Sequence, residues 1–107
     1  MQKDYQTYCY LIYNPITNLY KIGITGNIDN RINQLRCQSG CDLILIGYVN
    51  SAKEIDVSAK SIELFLHEYF KNKRKIGEWF DFSKKDLIQI NSFSNSVEVD
   101  ELAVYYK

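Results

Sequence analysis

A tyrosine, a lysine, an arginine and a glutamate in this sequence have residue types and spacings suited to handling a phosphate. Tyr10 lies in the stretch TYCYLIY (7–13) and Lys21 in LYKIGIT (19–25). Both stretches are aromatic and β-branched and read as strands. Side chains alternate along a strand, so Tyr10 shares a face with Tyr8 and Ile12, and Lys21 shares one with Gly23. A phenol and an ammonium can thus converge on one surface of a strand pair, and Gly23 leaves space there for a ligand's close approach. On spacing alone the plainer account is favoured: Tyr10 as cross-strand packing and Lys21 as a solvated charge.

Arg31 falls eight residues after Gly23, in the first turns of the helix expected to follow the strands. Helix starts favour anions, and a guanidinium there can grip a phosphate with two hydrogen bonds. An exposed arginine paired with Asp29 is the simpler alternative. Glu63 is embedded in the apolar run Ile62, Leu64, Phe65 and Leu66. A carboxylate among apolar neighbours is costly unless it is paired, metal-bound or turned outward. His67, four residues on, lies on the same helix face. The two read equally well as metal ligands and as a hydrogen-bonded i,i+4 pair at the edge of the core. Trp79 and Phe80 read first as core, with Trp79 otherwise available to line a site wall. Lys71, Lys73, Arg74 and Lys75 place four positive charges in five residues. They form the one strong basic cluster, a candidate for nucleic-acid backbone contact or simply a solvated loop.

The elements that must position these groups follow from pattern. Asn14, Pro15 and Asn18 mark a turn between the two strands, giving a β-hairpin. Gly26 breaks the second strand. Asn27 or Asp29 can cap a helix over about Ile28 to Cys37, with Ile28, Ile32 and Leu35 at helical spacing and Ser39-Gly40 ending it. Residues 42–50 (DLILIGYVN) predict a third strand, apolar enough to be central in a sheet. Ser51 and Glu54 form a capping box. It opens a long helix to about Phe70, whose inner face is Ile55, Ala59, Ile62, Leu66 and Tyr69. Residues 71–77 read as a basic connector and 78–82 as a short strand. Ser83 and Asp86 form a second capping box, opening a helix to about Phe93. The tail, 94–107, reads as a late strand or a docked helix. The order β-β-α-β-α-β-α implies an α/β (α+β) fold, a small mixed sheet with an antiparallel N-terminal hairpin flanked by helices. One domain is expected over residues 1–107, with its motif-bearing core over about 7–82 and a C-terminal helix and tail over 83–107.

Bulk properties restrict the function. Lys and Arg number 13 and Asp and Glu 13, so net charge is zero and any nucleic-acid contact must come from a local patch. No apolar run is long enough to span a membrane, and MQKDYQTY has no apolar leader segment. Three cysteines, an odd number, argue against a disulfide framework. Cys37 and Cys41 lack a second metal-ligand pair, so reduced thiols in a cytoplasmic protein are expected. The abundance of Ile, Asn, Lys and Tyr suggests an AT-rich genome and a phage or mobile element.

Together, CYLI (9–12), YKIGIT (20–25), RINQL (31–35), IELFLHEYF (62–70) and GEWF (77–80) resemble the GIY-YIG nuclease superfamily. The likeness is to its phage and bacterial branch with KIG and GEWF. By position, Tyr10 matches the tyrosine of the first motif, Gly23 the glycine of the second, Arg31 the catalytic arginine and Glu63 the metal-binding glutamate. Lys21 stands where the second tyrosine usually stands, and the first-motif glycine is absent. The resemblance implies metal-assisted hydrolysis of a DNA phosphodiester. Tyr10 would activate water, helped by a positive charge that Lys21 could supply, because an unaided phenol with a pKa of about 10 is too weakly ionised. Arg31 would stabilise charge on phosphate. Glu63 would hold Mg²⁺, or Mn²⁺, with His67 as an auxiliary group. The alternative is a catalytically impaired member that binds nucleic acid or a protein partner, an inhibitory module on the same scaffold.

Overall fold

The structure, a computed structural model, describes residues 7–50 and 59–93. The chain opens with the expected hairpin, β1 (Tyr8–Asn14) and β2 (Leu19–Thr25). Its turn is built by asparagines. The Asn14 side chain accepts from the Ile16 and Thr17 amides at 2.9 and 3.4 Å. Asn18 takes the left-handed conformation, φ 63°, which asparagine tolerates better than most residues. The Tyr13 hydroxyl donates to Asn18 Oδ1 at 2.6 Å and ties the turn to the strand.

Helix α1 (Ile28–Ser39) begins at Asn27, whose side chain accepts from the Asn30 amide, and ends at Gly40 in the left-handed conformation. Asn27, not Asp29, is therefore the cap. Strand β3 (Ile44–Asn50) pairs antiparallel with β1, with an irregularity at Leu11/Ile12. Helix α2 (Ala59–Tyr69) leads through a 3-10 turn, Lys71–Lys73, to β4 (Arg74–Ile76), β5 (Trp79–Phe80) and α3 (Lys84–Phe93).

The five strands form one antiparallel sheet in the order β3-β1-β2-β5-β4. Two expectations change. Among the described residues β3 is an edge strand, not a central one. Its apolar run is explained by cover on both faces: Ile46 joins one core, while Leu45 and Tyr48 pack on the other. The basic connector is not all loop, because Arg74–Ile76 pairs with β5 across a turn where Gly77 has φ 54°. The Ser51 capping box, Ile55 and the tail from 94 lie outside the described residues.

The sheet separates two cores. On one side α1 contributes Ile32 and Leu35, packed with Tyr10, Ile12 and Leu43. On the other, α2 and α3 contribute Ala59, Leu66, Leu87 and Ile90, packed with Leu11, Ile22, Phe80 and Phe82. Phe80 is wholly buried, and its loss would cost about 3–5 kcal/mol. On α2, Ala59, Ile62 and Leu66 face the core as expected, joined by Glu63 and, just past the helix end, Phe70. Tyr69 is half exposed, and Glu63 faces inward. The capping box of α3 is as expected: the Ser83 amide donates to Asp86 Oδ2 at 2.9 Å and the Asp86 amide to Ser83 Oγ at 3.2 Å.

Candidate active site

Strand β5 pairs with β2 only at Tyr20 and Lys21. Beyond them the chain turns away at Glu78, whose carbonyl accepts a long bond, 3.4 Å, from the Ile22 amide. The candidate residues other than the basic cluster lie around this stretch of β2, some from each side of the sheet.

On the α1 side, Tyr10 stands opposite Gly23 in the ladder. A Cβ at Gly23 would come within 2.5 Å of the Tyr10 hydroxyl oxygen and 2.7 Å of its ring carbon Cζ. Glycine is thus required here by the phenol itself: the space expected for a ligand beside Gly23 is filled by the Tyr10 ring. Arg31 Nε donates to the Tyr10 hydroxyl at 3.5 Å, a weak, long contact, and Nη1 donates to Gln34 Oε1 at 3.2 Å. Asp29 is not its partner. Among the described residues, Arg31 is the cation whose side chain contacts the phenol. The Lys21 ammonium, expected in that role, binds Glu78 Oε1 at 2.8 Å. It also lies 5.7 Å from the centre of the Trp79 ring, its ladder partner. Trp79 is half-buried against the α1-side core, whereas Phe80 belongs wholly to the other.

On the α2 side, Glu63 is 6% exposed and pairs with Lys60 at 3.3 Å. His67 Nε2 lies 3.0 Å from the Ile22 carbonyl. A carbonyl can only accept, so Nε2 carries the hydrogen of that contact. One ligand atom each of Glu63, His67 and Glu78 lies within 4.8 Å of the others.

Glu78 links the two sides. Burial raises its affinity for a proton, but the Lys21 hydrogen bond and the charges of Lys21, His67 and Arg31 outweigh that and hold the carboxyl below its ordinary value. It is the member of this cluster that the residue-by-residue reading of the sequence did not single out. Its signal was present in GEWF, where a carboxylate sits in a two-residue turn between strands. Cys9, near Glu63, is pushed up to about 12 by burial and by that carboxylate.

Two carboxylates and an imidazole converging at this spacing match the ligand types that bind divalent cations. Carboxylate oxygens suit Mg²⁺, and the imidazole widens the fit to Mn²⁺ and later metals. Both carboxylates also carry an ion pair, Glu63 with Lys60 and Glu78 with Lys21. The basic cluster is not gathered with this group. Lys71 pairs with Glu68 at 3.0 Å and Lys73 with Asp86 at 2.9 Å. Arg74 and Lys75 are exposed on β4, two strand positions from β2.

No helix among the described residues is long and apolar enough to cross a membrane. A family model described as the T5orf172 domain matches residues 7–94. No curated protein matches the chain, and no solved structure does.

Proposed function

The chain belongs to the T5orf172 domain family, and from that premise we propose that it is a metal-dependent endonuclease of the GIY-YIG type, hydrolysing DNA phosphodiesters. The observation that carries the reading is the position of Glu78. It joins the Lys21 ammonium, feels Arg31 from the phenol side, and lies within ligand range of Glu63 and His67. A phenol, a guanidinium and a metal-type donor set thus border one short stretch of strand edge.

In the proposed reaction, Arg31 binds a non-bridging phosphate oxygen and stabilises the charge that grows there. The Tyr10 oxygen, beside the Arg31 guanidinium, accepts a proton from a water molecule as that water's oxygen forms a bond to phosphorus. The bond to the leaving oxygen breaks, that oxygen takes up a proton from solvent water, and the products are a phosphomonoester end and a free hydroxyl end. His67 stands near the carboxylates as the auxiliary group. Glu63 and Glu78, with His67, would hold Mg²⁺ or Mn²⁺, which supplies Lewis-acid polarisation of the phosphate. Lys21 keeps Glu78 in place and adds positive charge. Arg74 and Lys75 are the members of the basic cluster left for backbone contact.

A second reading, a DNA-binding module that does not cleave, is favoured by one fact: the Lys21 ammonium is committed to Glu78. Incubating supercoiled and linear DNA with the protein and Mg²⁺ or Mn²⁺ tests both. Cleavage by wild type that Glu63→Ala and Arg31→Ala abolish supports the nuclease. Salt-sensitive binding with no cleavage by any of the three supports the module.

A further inference from the structure

A cavity of about 380 Å³ opens beside the phenol–guanidinium pair. Tyr8, Asn27, Ile28, Asp29, Leu45 and Tyr48 line it. The proposed reaction uses none of these residues. We propose that this cavity receives one unstacked nucleobase of the DNA strand, next to the phosphate that Arg31 holds. The inference rests on the nuclease reading above and extends it from the phosphate to its neighbouring base.

Three observations support that occupant. The cavity lies on the same sheet face as Tyr10, since Tyr8 is two residues away on β1 and Tyr48 is the ladder partner of Tyr10 on β3. Two residues of strand span about 6–7 Å, close to the reach from a backbone phosphate to its own base. Asn27 likewise precedes Arg31 by one helical turn. Second, Tyr8 and Tyr48 meet edge to face at 5.4 Å and 83°, giving the cavity an aromatic wall. Every base has a π-face that such a wall can accept without reading sequence. Third, the opposite rim is polar. The Asn27 oxygen is already used as the cap of α1, which leaves its amide NH₂ as a donor. The Asp29 carboxylate has no ion pair among the described residues. A donor beside an acceptor suits a base edge that carries both a ring nitrogen and an exocyclic amino group. The volume falls in the range of small-molecule sites.

The test uses the full chain with Glu63→Gln, which blocks turnover, and a short single-stranded DNA carrying 2-aminopurine, scanned position by position. A matching set has one abasic position. One position should show fluorescence quenching by the protein, and its abasic counterpart should bind at least about fivefold more weakly. Adding Tyr48→Leu should weaken the intact DNA by a similar factor and leave the abasic DNA unchanged. Ile28→Trp, which fills the cavity, should do the same and guards against misfolding of the tyrosine variant. If intact and abasic DNA bind alike and neither variant matters, while Arg31→Ala still weakens both, the base pocket is wrong and the phosphate reading stands. If the protein binds no DNA at all, the phosphate reading falls and the pocket falls with it.

Discussion

Lys21 and Glu78 are 57 residues apart in the chain and 2.8 Å apart in space. Their contact closes the hairpin onto the turn before β5 and leaves a carboxylate poised beside Glu63 and His67. Glu78→Gln keeps the shape and removes the charge. Its Mn²⁺ affinity, read by electron paramagnetic resonance titration, should fall by about ten- to a hundredfold, as for a lost ligand partner. An unchanged affinity would remove Glu78 from the donor set.

The same contact has a pH signature. The folded Glu78 carboxyl is held below its ordinary value, so its contribution to stability is present above the unfolded value of about 4.3. That contribution is lost as pH falls through the folded value. Between pH 6 and 3, the melting temperature of wild type should fall more steeply than that of Glu78→Gln. Parallel curves would show that the pair contributes nothing to stability. The half-exposed carboxylate limits the size of the difference.

Asp86 does two jobs, capping α3 through the Ser83 amide and pairing with Lys73. Burial pushes its carboxyl up, but the Ser83 bonds and Lys73 together hold it below the usual range. Asp86→Ala should cost about 1–2 kcal/mol in urea unfolding at pH 7. The gap from wild type should shrink as pH falls through the folded value of this lowered carboxyl. A gap of constant size would contradict the assignment.

This capping box shows what was legible in the sequence. Ser83 and Asp86 are three residues apart, their bonds are local, and the pattern carried the whole structure. The hairpin was legible for the same reason: alternation placed Tyr10 and Lys21 on the α1 side and Leu11 and Ile22 on the other. The failures are all long-range. Nothing local says that Ile46 meets a second core, so an edge strand read as central. The stripe of α2 was legible at Ala59, Ile62 and Leu66, but an apolar pattern passes over Glu63, a carboxylate that points inward, and counts Tyr69, which stays half exposed. Lys21 was matched to Tyr10 by face, yet its partner comes from a turn near the other end of the domain. Glu78 was hidden because its importance lies in three neighbours from three elements.

Gly23→Ala should be far more harmful than a single methyl suggests. The added carbon would sit 2.5 Å from the Tyr10 hydroxyl oxygen, and Tyr10 is 3% exposed, with little room to retreat. Overpacking of this kind costs about 1–3 kcal/mol. Displacing the phenol should reduce cleavage by roughly a hundredfold. Full activity in Gly23→Ala would mean that the position of the phenol does not matter.

Cys9 should be silent toward thiol reagents. Its thiol is buried and pushed up to about 12, whereas Cys37 is exposed and Cys41 partly so. In 5,5′-dithiobis(2-nitrobenzoate) at pH 8 the native protein should release colour from two thiols, and from all three only in denaturant. Rapid reaction of three native thiols would mean that the core around Glu63 is open.

The central claim is that Glu63 serves a cation on the α2 side of β2, across the sheet from the Tyr10–Arg31 pair. The most direct measurement is an anomalous-scattering map of a crystal soaked in Mn²⁺. The account predicts one strong peak in ligand contact with the Glu63 carboxylate and bordered by Glu78 and His67, with Lys60 displaced from Glu63. A map with no peak there, and with the Lys60–Glu63 pair intact at saturating Mn²⁺, would contradict it.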